Sequence, residues 1–310
     1  MSALKTSGAI PFIADPDPPY GAARQVSPLI RRIVAKNPSP FTYTGTGTYI
    51  VGAGAVAVID PGPALPEHLD AIMGAVAGET VSHILITHTH LDHSPLAGPL
   101  AEKTGAPIFA YGAHGSGRTG GIDREEAVEE GADRDFRFDE ALCDGDRIEG
   151  TGWTFEALHT PGHTSNHLCF ALEEERALFT GDHVMGWSTT VISPPDGDMA
   201  AYMANLRRLL ERDDRSLWPT HGLPVAEPKP FLEALIAHRE ERIAQILHIL
   251  AAGPATIAAM VPRMYRDVPE YLHPAAARSV LAHLIQLVDE GAVQARDGAR
   301  IDATYSLAGV

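Results

Sequence analysis

The stretch Val81 to Ser94 constrains this chain more than any other. Val81 to Ile86 is a short apolar run rich in β-branched residues, which predicts a buried strand. The run ends at Thr87, and His88, His90, Asp92 and His93 then fall within six positions. Ser94 and Pro95 predict the opening of a helix that runs through Ala101, since proline is well tolerated in a first helical turn. Pro107-Ile108-Phe109-Ala110 is another core strand further on, typical of the repeating layers of an α/β protein. Loops at strand ends bring side chains together while the strand holds them in place. His88 and His90 are two apart, so on an extended loop they face one way. Asp92 and His93 follow where the chain turns, and they face a second point. Neutral imidazoles and a carboxylate suit zinc and other first-row metals, so this one loop could serve two cations.

The pattern HxHxDH, here His88-Thr89-His90-Leu91-Asp92-His93, resembles the signature of the metallo-β-lactamase superfamily. The resemblance implies that the loop lies between a strand and a helix of an αββα sandwich. Three further segments follow in the order this family uses. Thr160-Pro161-Gly162-His163-Thr164 presents His163 from a turn that Pro161 and Gly162 enforce, and a third imidazole beside His88 and His90 would complete a His₃ set. Gly181-Asp182-His183 ends an apolar run, and Asp182 matches the carboxylate that bridges both metals in dinuclear relatives. Trp218-Pro219-Thr220-His221-Gly222 supplies His221, which would close a second set with Asp92, His93 and Asp182. His183 is expected to be a neighbour and not a ligand. His159 precedes the turn and should point away from the site. His167, four residues after His163, is expected to support the site without binding metal. Ile59-Asp60-Pro61-Gly62 resembles the family's early D-x-G turn, where the aspartate buttresses the metal loop by hydrogen bonds. An aspartate that only shapes a turn with Pro61-Gly62 is the alternative.

The rest of the chain sets bounds. Its 310 residues allow a large domain with a smaller one, expected at 1–225 and 226–310. A net charge of −16 argues against a general polyanion-binding surface. Cys143 and Cys169 form no CxxC pair, and Cys169 lies in an alternating run that reads as a buried strand, so a reducing, cytoplasmic setting is expected. Met1 to Pro19 lacks the apolar core of a secretory signal, and no apolar run reaches the ~20 residues needed to span a bilayer.

Along the chain, residues 1–25 read as irregular, and strands are expected over Leu29 to Ala35, Phe41 to Val51 and Ala55 to Asp60. Helices are expected over Glu67 to Val76, Met199 to Arg212 and Phe231 to Leu250. Residues 112–135 are Gly-rich and then charged, which predicts a long surface loop or a short helix near the site mouth with His114 mobile and exposed. Trp187 to Asp198 reads as a loop on the substrate side. Two further helices, Thr256 to Tyr265 and Pro274 to Glu290, and a hairpin of Gly291 to Val293 with Thr304 to Leu307 resemble a winged helix. Residues 226–310 carry 8 Lys+Arg against 10 Asp+Glu, so this tail lacks the basic footprint of a duplex binder. Docking or homodimerisation is the expected role.

Two adjacent cations lower the pKa of water toward neutrality and stabilise a developing oxyanion, which is hydrolytic chemistry. Two divalent ions are expected, zinc first, with manganese or iron compatible. Asp92 is expected both to bind metal and to orient or shuttle a proton. Oxygen-activating flavodiiron relatives carry an acidic residue where His90 stands, which disfavours redox chemistry. The whole chain is similar to the β-lactamase-like protein 2 branch, from the Asn37 to Gly52 entry through Gly181-Asp182-His183-Val184-Met185-Gly186 to the tail. That resemblance implies a metal-dependent hydrolase and, in some members, single-strand endoribonuclease activity. A small ester, thioester or lactone is the expected substrate. RNA is the alternative, disfavoured by the acidic charge, and a β-lactam stands behind both because no export signal is read.

Overall fold

The computed structural model describes residues 10–14, 18–118, 131–296 and 298–309. Two sheets lie face to face. The first runs in the order β1 (Arg24–Gln25), β2 (Ile30–Val34), β3 (Gly47–Ala53), β4 (Ala55–Ile59), β5 (Thr80–Leu85), β6 (Ile108–Ala110) and β7 (Glu140–Ala141). The second comprises β8 (Arg147–Gly150), β9 (Trp153–His159), β10 (Leu168–Leu172), β11 (Ala177–Gly181) and β12 (Ser216–Pro219), each beside the next.

Strand alternation sorts the side chains. Tyr49, Val51, Ala57, Ile59 and Leu85 face the other sheet and meet Trp153, Phe155, Phe170 and Phe179. Ile50, Val56, Val58 and Ile84 face the opposite way, against α1 (Pro66–Ala75) and α2 (Ala97–Thr104). On the far side of the second sheet, Leu158, Cys169 and Leu178 pack against α3 (Met199–Leu210) and the first turns of α4 (Pro228–Ala251). The result is the expected αββα sandwich.

The tail consists of the rest of α4, α5 (Ile257–Met264), α6 (His273–Asp289) and a small sheet of β13 (Ala255–Thr256), β15 (Thr304–Leu307) and β14 (Val293–Ala295). It has its own core around Ile246, Met260, Val280, Leu284 and Tyr305. α4 joins both bodies: Phe231, Leu232 and Leu235 enter the sandwich, and Ile246, Ile249 and Leu250 enter the tail. No helix among the described residues is long and apolar enough to cross a membrane.

Three expectations need correction. The strand expected from Phe41 begins only at Gly47, because Asn37 and Ser39 compete for the intervening backbone. Ser39 Oγ accepts the amides of Phe41 and Thr42, Asn37 Oδ1 accepts that of Thr46, and Tyr43 adopts φ +56°. The helix expected from Ser94 begins at Ala97, since residues 91–96 form hydrogen-bonded turns around His90 O. Within the stretch expected to be irregular, Arg24–Gln25 pairs with β2. Of the 112–135 loop, 119–130 lie outside the described residues.

His68 on α1 is buried, with Nε2 2.8 Å from Thr48 Oγ1. Burial pushes its pKa down to about 4, against a small opposing effect of Glu67. Protonation therefore opposes folding. The stabilisation is complete above the unfolded value of ~6.5 and is lost as the pH falls through about 4. We expect the thermal midpoint of the protein to fall more steeply over that window than that of His68→Gln, by a difference worth up to ~3 kcal/mol. Equal slopes would show that His68 is not held neutral.

Candidate metal centre

Strand direction brings the functional residues to one edge. β4 and β5 run parallel, and so do β9, β11 and β12, because β9 and β11 both lie antiparallel to β10. The ends of these five strands carry Asp60, the His88–His93 loop, His163, Asp182 and His221. Glycine makes two of the turns possible. Gly162 adopts φ +153°, and a Cβ there would sit 2.6 Å from the Tyr202 backbone. Gly181 adopts φ +49°, and a Cβ would meet His167 Nε2 at 2.6 Å.

The seven residues expected as ligands converge. His88 Nε2 and His163 Nε2 lie 3.0 and 3.1 Å from His90 Nδ1. Asp92 Oδ2 lies 3.1 Å from His221 Nε2 and 3.2 Å from His93 Nε2. Asp182 stands between the two sets. Its Oδ1 is 3.4 Å from His221 Nε2 and 3.6 Å from His93 Nε2, while its Oδ2 is 3.8 Å from His163 Nε2. His88, His90 and His163 form one group able to hold a cation, and Asp92, His93 and His221 form another. His93 Nε2 and Asp182 Oδ1 are buried without a hydrogen-bond partner. Buried polar atoms left unpaired at the focus of imidazoles and carboxylates fit divalent metal ions.

A second layer aims these groups. His93 Nδ1 is 2.9 Å from Asp60 Oδ2, His163 Nδ1 donates to Val191 O at 2.8 Å, and His221 Nδ1 donates to Gly45 O at 3.2 Å. Each contact leaves the other ring nitrogen facing the centre. Asp60 also accepts Thr87 N–H at 2.8 Å, Thr87 Oγ1–H at 2.7 Å and Thr220 Oγ1–H at 3.3 Å, so it is a buttress as well as a turn residue. Thr46 Oγ1 donates to Asp92 Oδ2. His167 is buried behind the ligands. Its Nδ1 meets Thr160 Oγ1 at 2.9 Å, and its Nε2 accepts the amide of Asp182 at 3.2 Å.

The electrostatics are strongly coupled. Burial pushes His93 and His221 down, but the surrounding carboxylates overcome it. His93 is raised well above its ordinary value, and His221 to about 10. Burial likewise raises Asp92 and Asp182, and the histidines reverse it and hold both well below the carboxylate range. His90 is lowered to about 3 by burial and by His163. His90 held neutral and Asp92 and Asp182 held ionised are the protonation states that metal binding needs, whereas a cation in the second set would displace the protons that His93 and His221 hold.

Of the remaining candidates, His159 stacks on Tyr111 at 3.9 Å, away from the centre. His183 is buried against Tyr202 and belongs to none of the metal-binding groups. His114 differs from expectation: its side chain is only 8% exposed, with Nε2 3.2 Å from Arg118 Nη2 and Nδ1 3.8 Å from Asp196. Arg118 on its own loop and Asp196 on another account for that burial. Sequence reading missed the supporting threonines. Thr87 and Thr220 each directly precede a histidine of these groups, a signal that could have found them. Val191 and Gly45 act through carbonyls and carry no such signal.

An αββα sandwich with two groups of buried imidazoles and carboxylates at one edge defines a metallo-hydrolase. The chain belongs to the metallo-beta-lactamase superfamily, whose family description matches residues 43–221. Residues 256–300 match the beta-lactamase associated winged helix domain. The chain is 30% identical over 87% of its length to the beta-lactamase-like protein 2 homolog of Caenorhabditis elegans, covering 88% of that protein. It is 31% identical over 81% of its length to an atrochrysone carboxyl ACP thioesterase of Cryptosporiopsis sp. (strain 8999), covering 76% of it. Among solved structures, a metallo-beta-lactamase family protein from Thermus thermophilus superposes with TM-score 0.73 at 26% identity, covering 91% of this chain and 100% of that one.

Proposed function

We propose that this enzyme is a dinuclear hydrolase, with zinc as its expected metal, acting on small esters, thioesters or lactones. One observation carries the reading: the two carboxylate oxygens of Asp182 face two different ligand sets. A carboxylate between two such sets is suited to bridge two cations. His88, His90 and His163 would hold one metal, and Asp92, His93 and His221 the other. Bound there, two divalent ions supply Lewis acidity, making water nucleophilic near neutral pH and offsetting negative charge that develops on an acyl oxygen. Asp92, whose Oδ2 lies 3.1 Å from His221 and 3.2 Å from His93, would orient the attacking water and carry its proton. The cavity over the centre has a volume of about 40 Å³ and is lined by Phe41, Met185, Trp187 and Val191, which suits it to a reacting group with apolar neighbours. Similarity to a thioesterase supports an acyl substrate, and the net charge of −16 speaks against single-stranded RNA.

The test is elemental analysis of protein purified without chelator, joined to turnover assays on ester, thioester, lactone, β-lactam and single-stranded RNA substrates. Two metals per chain with acyl hydrolysis is the expected result. Two metals with RNA cleavage alone would replace the substrate assignment. Failure to take up zinc, manganese or iron would overturn the dinuclear reading.

A further inference from the structure

Beside the metal centre lies a second, larger cavity of about 550 Å³. It shares a wall with the first, formed by Pro40, Phe41, Ser188, Thr189 and Val191. Its far side comes from the tail: His238, Arg239 and Arg242 on α4, and Ala275, Ala276 and Ser279 on α6. The small cavity accommodates little beyond a reacting group. The rest of a substrate needs other space, and this chamber adjoins it.

The charge in the chamber is unusual for an acidic protein. Arg239 is 2% exposed and donates through Nη2 to Thr190 O, but its Nε has no partner. Arg242 donates through Nη1 to Gln245 Oε1 and Met264 O, and its Nε likewise has none. Among the described residues neither guanidinium pairs with a carboxylate. Tyr202 and Tyr265 lie 5.2 and 4.4 Å from the two guanidinium groups, and their faces offset part of the charge. His238 Nδ1 and both nitrogens of His283 are also buried without partners. A buried guanidinium lacking a counter-ion is costly, and proteins retain such groups where a ligand supplies the missing charge.

We propose that this chamber receives the distal end of the substrate and that Arg239 and Arg242 bind a carboxylate there. The proposal rests on the hydrolase reading only for what happens at the other end of the same molecule. A carboxylate matches the planar N–H edges that two guanidinium groups offer. It also matches the charges present. The chamber wall carries two guanidinium groups and one carboxylate, Glu241, a set suited to a small anion and too few cations for a run of phosphates. Tyr265, Leu272 and Ala276 provide apolar walls for the chain that carries it. The substrate class is thus an acyl compound bearing a terminal carboxylate.

Arg239 also fastens Thr190, whose Oγ1 donates to the backbone oxygen of Asp182 at 2.8 Å, so changing it would disturb the metal centre. Arg242→Gln is the cleaner variant, because glutamine retains a donor for Met264 O. The measurement is calorimetric binding of α,ω-dicarboxylates from glutarate to sebacate against fatty monocarboxylates of equal length. Both series offer the metal centre one carboxylate, so their difference reads the second chamber. We expect the best dicarboxylate to bind about tenfold more tightly than its monocarboxylate. We expect that ratio to fall toward one in Arg242→Gln, with an unchanged circular dichroism spectrum. Equal binding of the two series by the unaltered protein would overturn the proposal, as would a preference that survives Arg242→Gln. Absence of acyl hydrolysis alongside an intact dicarboxylate preference would instead remove the proposed reaction and leave the chamber's ligand in place.

Discussion

Asp182→Asn should lower kcat/KM for acyl substrates by about three orders of magnitude or more while leaving the circular dichroism spectrum unchanged. Asparagine has the same shape, so the turn after Gly181 and the hydrogen bond from the Asp182 amide to His167 survive. The charge does not survive, and one of the two terminal atoms becomes an N–H donor. Oδ1 faces His93 and His221, and Oδ2 faces His163, so whichever position the amide nitrogen takes, one metal set loses an acceptor. Metal content is expected to drop from two per chain to one or fewer, read by elemental analysis after dialysis. Two retained metals with activity within tenfold of the parent would remove Asp182 from the bridging role.

The residues that converge on the candidate metal centre were legible because their chemistry is local. His88, His90, Asp92 and His93 share one loop, and His163, Asp182 and His221 each follow an apolar run that ends in a turn. The αββα layering came with the resemblance that His88-Thr89-His90-Leu91-Asp92-His93 carries, and the structure shows strand alternation sorting Tyr49 from Ile50 and Ala57 from Val58 into those layers. What stayed hidden depends on partners far along the chain. The turn from Asn37 to Thr46 reads as strand by propensity, since its threonines and aromatics suit a pleated surface. The side chains of Asn37, Ser39 and Thr42 instead bond to nearby backbone, and the loop so formed delivers Gly45 O to His221 and Thr46 Oγ1 to Asp92. Val191 aims His163 through a carbonyl, which any residue could supply. Arg239 reaches Thr190 across 49 positions of sequence, a contact that exists only once α4 docks on the sandwich. The tail therefore does more than extend the chain: it fixes the loop that orients His163 and walls the second chamber.

Asp60→Ala should damage stability and metal binding together. The side chain is 1% exposed and accepts from Thr87 N–H, Thr87 Oγ1–H, Thr220 Oγ1–H and His93. Alanine leaves all four without an acceptor in a buried site. Removing a buried charge that bonds to several donors costs on the order of 3–5 kcal/mol. The backbone adds to this, since Asp60 adopts φ +48°, which aspartate and asparagine tolerate better than alanine. The thermal midpoint should fall by roughly 10 °C. His93 loses the partner that fixes its ring, so metal affinity should fall about 10–100-fold, read by competition with a chromogenic chelator. Asp60→Asn separates the two contributions. It suits the left-handed backbone and keeps one acceptor oxygen, so it should recover part of the stability. It lacks the negative charge that favours a proton on His93 Nδ1 and so presents Nε2 to the metal, and its metal affinity should remain well below that of the parent. If Asp60→Ala kept both the parent's midpoint and its metal affinity, Asp60 would be no more than a turn residue, and the orientation of His93 would have to come from the packing of its ring against His88 at 4.0 Å.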